Sequence, residues 1–252
     1  MIQAVGVVVP ARDEERLLPA CLASVNLAGR MLPGVAVHLI VVADTCADRT
    51  ASLAARAGAT VVEGTMTNVG QARLAGTRVL LRRTRALDPA TVWIATTDAD
   101  TLVPPCWLGR QLRYASQGWE AVVGTVMVTD WSGYPPRCQA AYTEGYAAGT
   151  RTPSAETGGG GRWHPHVHGA NLGVTAAAYL AAGGFGALAT GEDDALVRAL
   201  ESAGRRVLRT TGVTVVTSAR RDPRAPGGFG HFLARLDRDT AFSTPRTPGR
   251  PR

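Results

Sequence analysis

The alternation of apolar runs with helix-period segments constrains the fold of this chain more than any other feature. Four short apolar runs predict strands at residues 5–10, 37–42, 60–62 and 92–95. Apolar residues three or four apart predict helices between them at 14–25, 48–57 and 70–83. Such alternation predicts an α/β fold with a mostly parallel sheet and helices on both faces. The strands lack polar alternation, as is typical of strands buried on both sides.

The pattern loosens after residue 104. We predict helices at 107–117, 191–203 and 231–239, and strands at 121–128, 167–174, 207–209 and 213–216. We predict a mobile loop at residues 130–163. A glycine run can bind phosphate between a strand and a helix, but the run in this segment has neither beside it. The aromatic residues of this loop would shape an acceptor site or form a dimer contact: Trp131, Tyr134, Tyr142 and Tyr146. We predict a loop at residues 222–230 and a disordered tail at residues 243–252.

Composition argues against several functional classes. The net charge is +7, but eight arginines and three aspartates follow residue 218, so the rest is nearly neutral. We therefore predict no nucleic-acid partner, and leave open a peripheral contact of the basic segment with an anionic membrane or a diphosphate.

No run approaches 18 apolar residues, and the start does not resemble a signal peptide. Four scattered cysteines without a CxxC pair are typical of reduced thiols, so we expect a cytoplasmic protein.

Carboxylates follow the predicted strands at the points where the strands end. Asp98 and Asp100 follow the run at 92–95 after two threonines, and Asp44 follows the run at 37–42. In a parallel sheet these ends form one ligand crevice. Converging carboxylates repel each other unless a cation lies between them or one is protonated. The sequence therefore predicts Mn²⁺ or Mg²⁺, shared with substrate phosphates. The alternative is a solvated Asp-rich turn.

Six motifs in order make the chain resemble the family 2 glycosyltransferases, nucleotide-sugar-dependent enzymes of the GT-A fold. They are VVVPARDEERLL (7–18), VVADTCADRT (41–50), NVGQAR (68–73), TTDAD (96–100), HVHGANLGV (166–174) and GEDDALVRAL (191–200). The resemblance extends from residue 5 to about 218. It implies a single GT-A domain at 1–242, with a Rossmann-like nucleotide-binding half at 1–105 and an acceptor-binding half at 106–242.

The resemblance also implies roles for individual residues. The nucleotide-binding set is Pro10, Ala11, Arg12, Glu14, Asp44, Asn68, Gly70, Arg73, Asp98 and Ala99. Asp44 would accept a hydrogen bond from the base, with Arg73 also near the base. Asp98 and Asp100 would bind the metal, Asp100 directly. Donor sugar and acceptor would lie at Gly169, Ala170 and Asn171, and Glu192 and Asp193 would form the catalytic pair, with Asp193 as the base that deprotonates the acceptor hydroxyl.

Some features depart from the family pattern or leave alternatives open. Asp13 stands where the family often has Asn, and Ala43-Asp44 where many members have two aspartates. We find no QxxRW segment, which argues against a processive polysaccharide synthase. Asp193 lies at a predicted helix start, where the carboxylate form is stabilised; it could also be an ordinary first-turn acid.

Histidines supply two further hypotheses. His164, His166 and His168 would share one face of a strand and could bind zinc, or could form a loop and strand beside the acceptor site. His231 lies in GGFGHF (227–232), after Arg220 and Arg221. We hypothesise that this segment closes over the diphosphate, with His231 as a metal ligand.

The sequence thus predicts a metal-dependent glycosyltransferase that transfers a sugar, with inversion, from a UDP- or GDP-sugar to a hydroxyl acceptor. One alternative is a sugar nucleotidyltransferase, which would release pyrophosphate, although a glycine-rich basic loop after the first strand is missing. Another is a non-catalytic nucleotide-sugar-binding or scaffold protein, against which the acidic pairs argue.

Overall fold

Strands and helices alternate through most of the chain. The computed structural model of the protein describes residues 1–66, 68–152, 161–221 and 227–242. The strands in this part are β1 (Ala4–Ala11), β2 (Ala36–Asp44), β3 (Thr60–Gly64), β4 (Val92–Thr96), β5 (Thr101–Leu102), β6 (Ala121–Met127), β7 (Leu172–Thr175) and β8 (Val207–Thr217). The helices are α1 (Leu18–Arg30), α2 (Thr50–Arg56), α3 (Val69–Arg83), α4 (Trp107–Ser116), α5 (Pro136–Ala148), α6 (Ala176–Ala181), α7 (Glu192–Ser202) and α8 (Phe229–Phe242).

These strands form one sheet in the order β3-β2-β1-β4-β7-β6-β8-β5. The first four are parallel, with Val5 of β1 opposite Val37 of β2 and Trp93 of β4. β7 runs antiparallel to β4 and β6, whereas β6 and β8 are parallel. The predicted α/β architecture with a mostly parallel sheet is confirmed. Its parallel half brings the carboxyl ends of β1, β2 and β4 to one edge.

Apolar layers cover both faces of the sheet. Trp93 of β4 belongs to the layer that contains α1 and α4, and the next residue, Ile94, belongs to the layer that contains Leu80 of α3 and Leu196 of α7. Successive side chains of a strand point to opposite faces, so a strand buried on both faces is apolar throughout. This explains the unbroken apolar runs in the sequence.

Several predicted elements differ from the observed ones. α1 begins at Leu18 instead of residue 14, with Pro19 in its first turn. The prediction of a loop over 130–163 is wrong where α5 forms: Pro136 lies at the helix start, and Tyr142 and Cys138 are buried against α8. The strand predicted at 167–174 is only β7, preceded by a 3₁₀ turn at Gly169–Asn171.

Other differences are smaller. The two short strands predicted at 207–209 and 213–216 are one strand, β8, and α8 is longer than the helix predicted at 231–239. β5 and α6 were not predicted. Most of the glycine run, residues 222–226 of the predicted loop, and the predicted tail at 243–252 lie outside the described residues. Within the described part, none of the helices combines the length and apolar character needed to cross a bilayer.

Candidate active site

A cavity of about 210 Å³ lies at the carboxyl ends of β1, β2 and β4. Nine of the residues predicted for nucleotide and metal line it: Pro10, Ala11, Arg12, Glu14, Asp44, Asn68, Asp98, Ala99 and Asp100. The opposite wall includes Ser218, Arg220 and Phe229, from the end of β8 and the start of α8. The convergence of Asp44 with Asp98 and Asp100 follows from the parallel pairing of β2, β1 and β4.

The carboxylate of Asp44 has a fixed orientation in this wall. Its Oδ1 accepts hydrogen bonds from the Met66 backbone N–H at 2.7 Å and from the Thr45 hydroxyl at 2.9 Å. Thr45 has a φ of 53°, a conformation that non-glycine residues adopt rarely and mostly where the surrounding structure imposes it. Asp44 is 6% exposed, so it meets a ligand only from the cavity.

The loops that follow β1 and β2 hold each other by reciprocal hydrogen bonds. Asp13 Oδ1 accepts the Ala47 N–H at 2.8 Å, and Asp48 Oδ2 accepts the Glu15 N–H at 2.9 Å. Asp13 has a φ of 51°, which Asp and Asn tolerate better than most residues. With Cys46, Asp13 and Asp48 form the one group of three potential metal-ligating side chains in the described part of the chain. Because these carboxylates bind backbone N–H groups, we assign them to the loop contact.

Arg73 joins the two acidic motifs. Its guanidinium pairs with Glu192 and donates to Asp98 Oδ1 at 2.5 Å. Arg73 and Glu192 are almost fully buried, whereas the Asp98 side chain is 37% exposed. Burial raises the pKa of Glu192, and Arg73 opposes that rise. The structure therefore places Arg73 between Asp98 and Glu192, and not among the residues that line the cavity beside Asp44.

Arg220 forms a second bridge, which sequence reasoning did not assign. It donates to Glu14 Oε1 at 2.5 Å and to Asp100 Oδ2 at 2.6 Å. Burial raises the pKa of Asp100 to about 6, with further contributions from Asp98 and Glu14, while Arg220 opposes the rise. The sequence signal was an arginine just beyond the carboxyl end of a strand, next to the predicted closing segment.

The residues around Asp100 suit a divalent cation. Asp98 and Asp100 offer hard oxygen donors, and each carboxylate now pairs with an arginine, Asp98 with Arg73 and Asp100 with Arg220. One or two protein carboxylates, completed by phosphate oxygens and water, are the usual environment of Mg²⁺. Mn²⁺ also prefers carboxylate and water ligands. His231 lies in the first turn of α8 and is not among the residues that line this cavity, so its role as a ligand stays a prediction.

Asp193 lies in the first turn of α7. Its Oδ2 accepts the Gly169 N–H at 2.6 Å, and its Oδ1 accepts the Asp194 N–H at 2.9 Å. Thr96, at the end of β4, donates to the Gly169 carbonyl at 2.6 Å. A Cβ on Gly169 would overlap the Arg73 guanidinium, so a larger residue there would displace that side chain. Gly169 thus connects Asp193 to the residues around Asp98.

A second cavity of about 660 Å³ adjoins the first, and Asp98, Thr217 and Phe229 contact both. Its inner wall carries Arg73, Glu192 and Asp193. The rest is mainly aromatic and aliphatic: Val126, Ala141, Tyr142, Gly145, Tyr146, His166, Val167, His168, Phe229, Phe232 and Leu236. Helices α5 and α8 supply most of this surface. The sequence did not predict α5, and it predicted a shorter helix in place of α8.

The three alternating histidines form a stack with Tyr146 and do not converge on a metal. Tyr146 lies 3.9 Å from His166 between ring centroids, and its hydroxyl is 3.0 Å from His168 Nε2. His164 Nε2 contacts the Val123 carbonyl at 3.1 Å. Burial lowers the pKa of His164 and His168 to about 4, so both rings are neutral near pH 7. His166 and His168 instead line the second cavity, and the three rings do not form a zinc site.

Other residues implied by the resemblance lie elsewhere. Asn171 is fully buried: its Nδ2 donates to the carbonyls of Thr125 and Val213, and its Oδ1 accepts the Trp107 indole N–H. It therefore braces the core beneath the site instead of facing either cavity. Gly70 packs closely against the carbonyls of 186 and 188, so its lack of a side chain serves helix packing. Ala170 does line the second cavity, as does Gly169.

Comparison with known proteins adds independent evidence. The family model described as "Glycosyltransferase like family 2" matches residues 3–227. A search of curated proteins found no match. Among solved structures, glucosyl-3-phosphoglycerate synthase from Mycobacterium tuberculosis, in complex with Mn²⁺, UDP and glucosyl-3-phosphoglycerate, superposes with a TM-score of 0.53 at 16% identity, over 95% of this chain and 77% of that one.

Two further structures show the same fold. A mannosyltransferase from Pyrobaculum calidifontis, in complex with GDP-Man and Mn²⁺, has a TM-score of 0.58 at 19% identity, over 97% of this chain and 65% of that one. TarS from S. aureus, in complex with UDP-GlcNAc, has a TM-score of 0.60 at 13% identity, over 98% of this chain and 68% of that one. The matched family and the shared fold lead to one assignment: the chain belongs to glycosyltransferase-like family 2 and is a glycosyltransferase of the GT-A fold.

Proposed function

We propose that this glycosyltransferase transfers a sugar from a UDP- or GDP-sugar to an acceptor hydroxyl, with a divalent cation on the diphosphate and inversion at the sugar carbon. The main support for the proposal is that the two cavities adjoin and share lining residues. One holds Asp44, Asp98 and Asp100, the other holds Asp193, and Asp98 faces both. The UDP, GDP-Man and UDP-GlcNAc in the complexes of the similar structures support the choice of donor.

In the first cavity four carboxylates outnumber the arginines Arg12 and Arg220, so a diphosphate would need a cation there. The cation that Asp98 and Asp100 would hold supplies Lewis-acid stabilisation of the leaving diphosphate. Arg220 adds a fixed charge beside the same carboxylates, at 2.6 Å from Asp100. Asp44, with one oxygen held by backbone and hydroxyl donors, would orient the base. The cation and Arg220 would together stabilise the negative charge that develops as the bond from sugar to phosphate breaks.

Asp193 is the better placed of the two acids to act as the base. Glu192 is buried and paired with Arg73, so its role in the proposal is to position that arginine. Asp193 lines the acceptor cavity, and its carboxylate is oriented by two backbone N–H groups. In the proposed step Asp193 takes the hydroxyl proton, the acceptor oxygen bonds to the anomeric carbon, and the diphosphate leaves with the bonding electrons. A single displacement of this kind inverts the configuration.

Calorimetry with UDP and GDP, each with and without Mn²⁺, tests the donor side. We expect one diphosphate to bind tightly only with Mn²⁺, and Asp100→Asn to abolish that gain. Asp88→Asn is the control, since Asp88 caps a 3₁₀ turn before β4 and lines neither cavity. Equal binding with and without Mn²⁺ in the wild type would contradict the metal-dependent proposal.

Donor turnover tests the catalytic side. With the matching nucleotide sugar, Asp193→Asn should keep donor affinity and lose at least about 10²-fold in turnover, as for removal of a general base. Asp194→Asn is the matched control one residue further along the same helix turn, where the side chain pairs with Arg198 on the surface. Near-normal turnover in Asp193→Asn would remove the base from the mechanism.

A further inference from the structure

We propose that the acceptor is an uncharged alcohol with an apolar body, aromatic or aliphatic, and not a phosphorylated or carboxylated compound. This inference rests on the proposed function, because it assigns a substrate class to the second cavity of the same site. The cavity has carboxylates at one end, and its other walls are mainly aromatic and aliphatic. A volume of about 660 Å³ fits a compound of drug-like size.

The charge of the cavity opposes an anionic acceptor. Among the described residues that line it, Arg73 is the one arginine, and its two outer nitrogens already bind Glu192 and Asp98. Asp193 adds a further negative charge. Low pKa values leave His168 neutral at pH 7, so it does not offset these carboxylates. A phosphate or carboxylate here would lack a cation to pair with and would meet like charge.

The walls favour an apolar body. Tyr142 is packed 5.2 Å from Tyr146 and 5.9 Å from Phe229 between ring centroids, and Phe229 lies 6.2 Å from Phe232. Aromatic faces of this kind stack on planar or aliphatic groups. Leu236 and Val126 extend the apolar surface.

The tyrosine hydroxyls are already engaged by the protein. Tyr142 donates to the Val126 carbonyl at 3.2 Å, and the Tyr146 oxygen accepts the Val126 N–H at 3.1 Å. A sugar acceptor with many hydroxyls needs many polar partners, and the hydroxyls of these two residues are already paired within the protein. The charged groups of the cavity lie together around Arg73, which pairs with Asp98 and Glu192, and the single reacting hydroxyl belongs at this end, beside Asp193.

A larger side chain in place of Gly145 of α5 would fill part of this cavity without disturbing the fold. It lines the second cavity and not the first, and a Cβ at this position would meet no atom within 4 Å. Gly109 of α4 is the matched control. It is also a helical glycine with room for a side chain, its nearest contact being Leu32 at 3.9 Å, and it lines neither cavity.

The test measures binding of 1-naphthol, farnesol and 3-phosphoglycerate to the full chain with Mn²⁺ and the preferred nucleoside diphosphate. We expect at least one of the two alcohols to bind saturably and 3-phosphoglycerate not to bind. Gly145→Leu should weaken the alcohol at least tenfold, and Gly109→Leu should leave it unchanged. The alcohol that binds more tightly tells whether the body is planar or aliphatic.

Three outcomes would overturn the inference: failure of both alcohols to bind, tighter binding of 3-phosphoglycerate, or an alcohol affinity that Gly145→Leu does not change. Metal-dependent diphosphate binding, measured on the same preparations, separates this failure from that of the proposed function. If the diphosphate binds and the alcohols do not, the acceptor class is wrong and the donor assignment stands. If the diphosphate does not bind with Mn²⁺, the proposed function itself fails.

Discussion

Replacement of Arg73 by Met tests the buried bridge between the two acidic motifs. Arg73 and Glu192 are 3% and 2% exposed, so the substitution leaves a carboxylate in the interior without its cation. Removal of one partner of a buried pair destabilises by about 3–5 kcal/mol. Asp98 recovers hydration because its side chain is 37% exposed, so we expect the lower end, about 3 kcal/mol. For a domain of this size that corresponds to a fall in Tm of about 6–12 °C.

The pH dependence of this loss identifies Glu192 as its source. Burial raises the pKa of Glu192 and Arg73 opposes the rise, so loss of Arg73 raises that pKa further. A group with a raised pKa in the folded state stabilises at low pH, and this stabilisation is lost as the pH rises through the folded pKa. The deficit of Arg73→Met relative to wild type should therefore be smaller at pH 5 than at pH 8.

Thermal unfolding at pH 5 and pH 8 measures both effects. Arg198→Met is the control, because Arg198 pairs with Asp194 at the surface and such pairs contribute about 0–1 kcal/mol. The double variant Arg73→Met/Glu192→Gln should regain part of the lost stability, since no unpaired charge stays buried. If Arg73→Met lowered Tm no more than Arg198→Met did, or equally at both pH values, the reasoning would be refuted.

Three further predictions follow from single contacts. Asn68→Ala removes the side-chain cap of α3 and should lower the free energy of unfolding, measured by urea denaturation, by about 1 kcal/mol. Asn68→Ser should keep most of the wild-type stability, because serine also caps helices. Gly169→Ala should displace the Arg73 guanidinium and reduce turnover with an unchanged far-UV circular dichroism spectrum; normal turnover would contradict the close approach. The gain in diphosphate affinity from Mn²⁺ should fall about tenfold between pH 7 and pH 5, because Asp100, with a pKa near 6, becomes protonated; a flat profile would exclude Asp100 as a ligand.

The first half of the chain was predictable because local signals and long-range pairing agree there. Asp44 and Asp98 follow unbroken apolar strands, and parallel pairing of such strands leaves one possible edge for both. The same topology brought Pro10 and Glu14 into the cavity wall. These placements needed only the order of the strands.

The second half of the chain was less predictable because tertiary contacts decide its structure. α5 has a weakly periodic sequence interrupted by Gly145, and it is helical where Tyr142 and Cys138 pack against Leu233 of α8. Asn171 shares a motif with Gly169 yet points into the core, because three buried partners satisfy its amide there. The bridge from Arg220 to Asp100 joins residues 120 positions apart, and such a pair has no local signal.

The reciprocal hydrogen bonds between the loops after β1 and β2 have a thermodynamic consequence. Asp13 holds the backbone of the second loop and Asp48 holds that of the first, so each loop is ordered by the other. The conformational entropy of both segments is therefore lost during folding and not on ligand binding. A ligand that meets a preorganised wall retains more of its contact energy as affinity. A substitution in either loop should then loosen both, and weaken binding from positions that never touch the ligand.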